Sequence, residues 1–276
     1  MTDSPTPDVT QGSHYLADYD YNSESPHLKH RHLYEGLMDQ VSVLVEGIGV
    51  TGREVEVLEI GAGDGSVSHR LLEIGCAVTG TEMSPDSVDT MNRRFAGNDR
   101  FRAVFDPDGS LGMLGDRQFD LILYASVLHH IPDYLATIRN SIDNHLRAGG
   151  ALVSVQDPLW YPRIPRSVLY FTNVSYLSWR VLQGEIFRGM KTRLRRALHG
   201  LSEEAPGDTV EYHVVRNGVD EKAVSDLLTA EFSEVETISY WSSQGTIQQR
   251  LGEKLGLVNT FAILAREYHP SSEGSG

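Results

Sequence analysis

Glu56-Val57-Leu58-Glu59-Ile60-Gly61-Ala62-Gly63-Asp64-Gly65 passes from an apolar run, through an acidic residue, into a glycine-rich turn. A helical pattern follows from Ser66 to Ile74. The stretch reads as a buried strand, a tight turn and a helix start. Gly61 and Gly63 allow the backbone to turn sharply and lie against a ligand. The N–H groups that open the helix are available to polar ligand atoms. In an α/β domain such a turn is where a nucleotide-like cofactor is held. A dinucleotide fingerprint has the spacing G-x-G-x-x-G. Here Ser66 stands at the last place and the glycine falls at Gly65, giving G-x-G-x-G. That spacing, with Glu59 two residues before Gly61, argues against a dinucleotide.

Outward from this turn the pattern repeats. Ala77–Thr81 is a second short strand ending at Glu82, and Ser84-Pro85 caps a helix that Gly97 ends. Phe101–Phe105 is a third strand, broken by Asp106-Pro107-Asp108-Gly109. Phe119–Tyr124 is a fourth, followed by Ala125-Ser126-Val127-Leu128-His129-His130-Ile131-Pro132-Asp133. A helix over Tyr134–Leu146 leads through Gly149-Gly150 to a fifth strand, Ala151–Val155. Strands alternating with helices predict a parallel sheet covered on both faces. Its ligands belong beyond the carboxyl ends of the strands, at Gly61–Gly65, Glu82, Asp106 and Ala125–His130.

Upstream, Leu33, Leu37, Val41, Leu44 and Ile48 recur at helical spacing after Ser25-Pro26, so a helix precedes the sheet. Residues 1–24 read as an arm, partly disordered or acting as a lid that carries Tyr15, Tyr19 and Tyr21. Residues 25–276 read as one domain. Residues 158–217 are too long for a plain connection and rich in aromatics from Trp160 to Trp179, so they read as a helical insertion after strand five. Val219–Ala230 is then helical, and Val235–Tyr240 and Asn259–Arg266 are closing strands.

The chain has 276 residues, 40% of them hydrophobic, enough for a large core. No apolar run is long enough for a bilayer, the first residues carry no secretory pattern, and Cys76 is the one cysteine, so a reducing cytoplasm is expected. A net charge of −14 argues against a long polyanionic partner. The best basic patch, Arg188–Arg196, reads as a solvated face. His27, His30 and His32 invite a metal reading, but their spacing does not set three ligands on one face. No complete set of metal ligands is found, so no metal is expected.

Glu59, Gly61, Gly63 and Gly65 together resemble motif I of the class I S-adenosylmethionine (SAM)-dependent methyltransferases, E/D-x-G-x-G-x-G. Gly80-Thr81-Glu82-Met83-Ser84 is similar to that family's second strand end, Phe119–Asp133 to its fourth strand and following loop, and Leu146–Gly150 to its L-x-x-G-G turn. The resemblance implies a Rossmann-like, seven-stranded, mostly parallel sheet with an N-terminal helical cap, and SAM as cofactor. It implies that Glu59, Gly61, Ala62, Gly63, Glu82, Met83, Asp106 and Ala125 surround SAM, with Glu82 on the ribose hydroxyls and Asp106 near the adenine amino group. The segment from Asp106 to Gly115 departs from the usual pattern. The expected activity is methyl transfer to a small-molecule acceptor, at a hydroxyl of a sugar or specialised metabolite. The base is expected at His130, with His129 and Tyr21 beside it. Transfer to nitrogen or carbon, an NAD-dependent oxidoreductase and a non-catalytic SAM-binding protein are the alternatives. A homodimer is compatible with the sequence; nucleic acid and membrane partners are not expected.

Overall fold

The computed structural model describes residues 25–48, 52–182 and 217–270. In chain order the elements are α1 (Pro26–Lys29), α2 (Arg31–Ile48), β1 (Glu56–Ile60), α3 (Ser66–Glu73), β2 (Ala77–Glu82), α4 (Pro85–Arg94), β3 (Phe101–Phe105), β4 (Phe119–Ala125), α5 (Tyr134–His145), β5 (Leu146–Pro158), α6 (Arg166–Leu182), α7 (Glu221–Thr229), β6 (Phe232–Tyr240), α8 (Thr246–Lys254) and β7 (Thr260–Tyr268).

The seven strands form one sheet in the order β3-β2-β1-β4-β5-β7-β6. Strands β1 to β5 pair in parallel, and β7 runs antiparallel between β5 and β6. The inner strands are apolar on both sides, as a sheet covered on both faces requires. In β1, Val57 faces α2, α3 and α4, whereas Leu58 and Ile60 face α5 and α7. In β4, Leu121 and Leu123 join the first layer, and Ile122 and Tyr124 the second. This period of two puts Glu59 on the α3 side. The Tyr124 hydroxyl, fully buried, donates to Ser141 Oγ at 2.8 Å.

The N-terminal helix breaks where continuity was expected. His30 has an extended backbone (φ −97°, ψ 94°) and separates α1 from α2. Of the predicted stripe, Val41 and Leu44 are buried with Met38, while Leu33, Leu37 and Ile48 are half-buried. The fifth strand is longer than expected, running from Leu146 through the glycine pair to Pro158. Of the expected insertion, α6 opens it, and Phe187 and the basic patch at 188–196 lie outside the described residues, as do Tyr15, Tyr19 and Tyr21.

Helix α8 was not predicted. Its apolar residues Ile247 and Leu251, and Leu255 just after it, are exposed, and it buries Gln249 and Gly252 instead. Gly252 lies against the Trp241 ring, where a Cβ would come within 2.3 Å. Gln249 is buried with its polar atoms paired: Oε1 accepts from the Ser243 N–H at 2.7 Å, and Nε2 donates to the Trp241 carbonyl at 2.9 Å. These bonds hold the segment that follows β6. No described helix is long and apolar enough to cross a membrane.

Candidate active site

The glycine turn lies between β1 and α3. Gly61 and Gly63 have φ of 68° and 59°, the left-handed region that glycine enters without strain. A Cβ on Gly61 would come within 2.4 Å of Val127 Cγ2, so the turn packs against the loop leaving β4. Gly65 serves packing: a Cβ there would meet the Phe95 ring at 2.6 Å, beneath α4.

Glu82 closes the turn from the end of β2. Its Oε2 accepts the Gly63 N–H at 2.9 Å, and Oε1 accepts those of Met83 at 2.8 Å and Ser84 at 3.3 Å. Burial raises its pKa, and the three N–H donors oppose that rise. Ala62 donates its N–H to the Thr81 carbonyl at 3.0 Å, so β2 holds the turn twice. Ala125, half-buried, ends β4 beside it.

Asp106 ends β3, its N–H bonded to the Glu82 carbonyl at 3.0 Å. Its Oδ2 accepts the Leu111 N–H at 3.1 Å. Its Oδ1 is buried with no hydrogen-bond partner among the described residues. Burial pushes this carboxyl up, with the neighbouring Asp108 charge adding to the rise. The unusual Asp-Pro-Asp-Gly segment therefore keeps an acid at the strand end and leaves one acceptor atom open to a donor.

Glu59 is buried, and the Ser68 hydroxyl of α3 donates to it. Burial, with the charges of Asp64 and Glu82, pushes its pKa from 4.5 to about 8 against the Ser68 hydrogen bond. A carboxyl whose folded pKa lies above its unfolded value stabilises the fold less as pH rises between the two. The stability of the wild-type chain relative to Glu59→Gln is therefore expected to fall from about pH 5 to about pH 8, by up to about 1.4 kcal/mol per pH unit, and then level off. Urea unfolding of both chains across that range checks it; a constant difference would contradict the burial argument.

The second half of the site depends on a bulge. Val155 pairs with Ala262 and Asp157 with Phe261, so Gln156 is an extra residue in β5. Its φ is 67°, a left-handed conformation uncommon for a side chain of this size. Tyr240 holds it there: its hydroxyl accepts the Gln156 N–H at 3.0 Å and donates to the Gln156 side-chain carbonyl at 3.1 Å. An even strand would put Asp157 on the face of Val155. The extra residue returns it to the face of Ser154, whose hydroxyl donates to Asp157 Oδ2 at 3.1 Å.

There Asp157 meets the loop after β4. Its Oδ1 accepts the His129 N–H at 3.1 Å and lies 2.7 Å from His129 Nδ1. Burial pushes Asp157 up to about 7. Burial, with the nearby His27, pushes His129 down to about 3. At neutral pH His129 is an uncharged imidazole. With Nδ1–H directed at the carboxylate, its lone pair is on Nε2. The carboxylate partner thus belongs to His129, whereas the sequence reading favoured His130. The two rings lie 3.9 Å apart, tilted by 44°.

Sequence reasoning also missed the placement of His27. It is buried, as is His30, whose Nε2 donates to the Ser243 carbonyl at 2.7 Å. His32 instead reaches Glu253 at 2.6 Å on the surface. Arg31, exposed, pairs with Glu35, and Lys29 lies over the Trp179 ring at 6.0 Å. The signal available in the sequence was the i, i+3 spacing of His27 and His30, which sets them on one side of a helical turn. Among the described residues no three His, Cys, Asp or Glu side chains converge as a metal site would require.

Residues 58–152 match the family model described as a methyltransferase domain. A stretch of 48 residues is 44% identical to a chloroplastic ribosomal RNA small subunit methyltransferase of Arabidopsis thaliana, covering 17% of this chain and 14% of that protein. A longer stretch of 147 residues is 29% identical to the non-reducing polyketide synthase mapC of Penicillium roqueforti, covering 50% of this chain and 6% of that protein. The chain thus spans a small part of the length of these curated relatives. Among solved structures, the plantazolicin methyltransferase BpumL in complex with SAH superposes with a TM-score of 0.53 at 14% identity, covering 94% of this chain and 96% of that one. Sheet order, glycine turn and family match agree: residues 58–152, which run from within β1 to within β5 and hold the glycine turn, are similar to a methyltransferase domain.

Proposed function

We propose that this chain transfers the methyl group of SAM to a small-molecule acceptor that must lose a proton as it is methylated, most simply a hydroxyl. The observation that carries the reading is the 2.7 Å contact between His129 Nδ1 and buried Asp157. SAM supplies a methyl group on a cationic sulfur, already activated for in-line displacement. What remains for the chain is to bind, align, exclude water and take up a proton.

The residues fit SAM. Asp106 Oδ1 offers a buried acceptor suited to an amino group such as that of adenine. Glu82 holds its carboxylate with backbone N–H groups at the end of β2, where it can accept ribose hydroxyls as well. Glu59 is a buried acid with no ion pair among the described residues, which an ammonium group would draw into its ionised form. On the acceptor side, neutral His129 takes the proton on Nε2 and Asp157 balances the imidazolium that results. An amine acceptor delivered uncharged would need no such pair.

A carbon acceptor is the second reading. The match to a polyketide synthase favours it, because carbon between two carbonyls is acidic enough for an imidazole to deprotonate. Both readings are tested together. Isothermal titration is expected to show SAM and SAH binding, and no heat with NAD. Methyl-labelled SAM is then offered catechol, a hydroxyl probe, and acetylacetone, a carbon-acid probe. Label on catechol supports the hydroxyl reading and label on acetylacetone the carbon reading. Absence of SAM binding overturns both.

A further inference from the structure

We propose that His27, on α1, is an acceptor-binding residue whose imidazole hydrogen-bonds a second oxygen of the acceptor, and that the site therefore takes an uncharged molecule bearing at least two oxygens. The inference rests on the methyltransferase reading above and names the acceptor side of that site.

The first observation is an orphaned atom. His27 is 5% exposed, and its Nδ1 is buried with no hydrogen-bond partner among the described residues. A buried polar atom left unmatched costs about 1–3 kcal/mol, and few native atoms are left so. Nothing in a four-residue helix requires a histidine at that place, so a ligand that supplies the missing partner accounts for it.

The second observation is position. His30 ties α1 to Ser243, the neighbouring Ser242 hydroxyl accepts from the Gln156 side-chain amide at 2.5 Å, and Gln156 precedes the Asp157 that holds His129. A chain of hydrogen bonds thus links the short helix that carries His27, whose Nδ1 has no partner among the described residues, to the His129–Asp157 pair.

The third is rigidity. His30, three residues on, is bonded to the Ser243 carbonyl at 2.7 Å, which pins α1 to the segment after β6. Ser243 itself has its N–H bonded to Gln249, yet its hydroxyl is buried with no partner among the described residues. A second unmatched polar atom therefore lies on the segment to which α1 is pinned. Burial keeps His27 uncharged, with a pKa of about 4, so it suits a neutral partner rather than an anion. An imidazole and a hydroxyl, each able to donate or accept, fit hydroxyl or carbonyl oxygens.

The test uses the full chain saturated with SAH, labelled at histidine Cε1, with catechol and acetylacetone as two-oxygen probes and cyclohexanol as a one-oxygen control. Spectra of His27→Ala and His129→Ala assign the two signals. Either two-oxygen probe is expected to shift both signals, with cyclohexanol binding less tightly. His27→Ala and Ser243→Ala are each expected to weaken the better probe about 3- to 10-fold, the loss of one neutral hydrogen bond. SAH affinity should stay within twofold, and the melting temperature of His27→Ala should not fall. His27→Gln should recover part of the affinity. A probe that shifts His129 but not His27, or one that shifts neither, overturns the assignment. So does a loss of SAH affinity in His27→Ala, which would move His27 to the cofactor side. Failure of the methyltransferase reading is separate, because it shows as absent SAH binding in the wild-type chain.

Discussion

Replacing His129 by glutamine lowers methyl transfer by about 10²- to 10⁴-fold, the span over which general-base catalysis contributes. SAM affinity stays within about twofold, because no residue assigned to the cofactor is altered. The reason lies in the pair. Asp157 orients the ring through Nδ1, and the buried carboxylate offsets the positive charge that the ring acquires when Nε2 takes the acceptor proton. Asp157→Asn should fall less, by about 10- to 100-fold: an asparagine carbonyl can still receive Nδ1–H, but it does not balance an imidazolium.

The pH dependence separates the two roles. The His129–Asp157 pair titrates as one unit. With Asp157 pushed up to about 7, the wild-type rate should fall as the pH drops below about 7 and the carboxylate is neutralised. Asp157→Asn should lack that limb. Turnover of methyl-labelled SAM, measured from pH 5 to pH 9 on the probe that accepts label, decides it. If His129→Gln keeps its rate within threefold while His130→Gln loses it, the base is His130 and the pairing with Asp157 is structural.

The second large effect falls on stability. Gly61→Ala is expected to destabilise the chain by roughly 2–5 kcal/mol: about 1–2 from a left-handed backbone on a residue with a Cβ, and about 1–3 from overpacking. The φ of 68° sets the first term and the 2.4 Å approach to Val127 Cγ2 the second. For a chain of this size the melting temperature should drop by on the order of 10 °C. Val127→Ala in the same chain should restore the packing part and leave the backbone part. Calorimetry of the two variants distinguishes the contributions. A single variant that melts within 1 °C of the wild type would show that the loop after β4 gives way at little cost. SAM binding should weaken with the single variant too, because Gly61 belongs to the glycine turn expected to lie against SAM.

These two cases differ in how early they could be read. Gly61 stands in a run whose local chemistry admits one reading: apolar residues at consecutive positions, then glycines where the backbone reverses. The acids at Glu82 and Asp106 were legible for the same reason, since each follows a short apolar strand and a strand end is a local event. Helix α8 escaped because burial there does not follow polarity. Ile247 is 78% exposed and Gln249 is buried with its hydrogen bonds satisfied, so the hydrophobic period points away from the core.

The local pattern was therefore enough for the parallel strands β1 to β5, the glycine turn and the row of polar residues at their carboxyl ends. Each follows from steric and burial preferences acting within about ten residues. The pair that carries the proposed chemistry is of another kind. His129 and Asp157 lie 28 residues apart and meet because β4 and β5 are neighbours and because Gln156, held by Tyr240 from 84 residues away, turns the aspartate to the face of Ser154. The helix that carries His27 is fixed by the break at His30 and the bond from that ring to Ser243, 213 residues on. Contacts of that range are set by which surfaces the folded sheet and its helices bring together. No spacing along the chain encodes them.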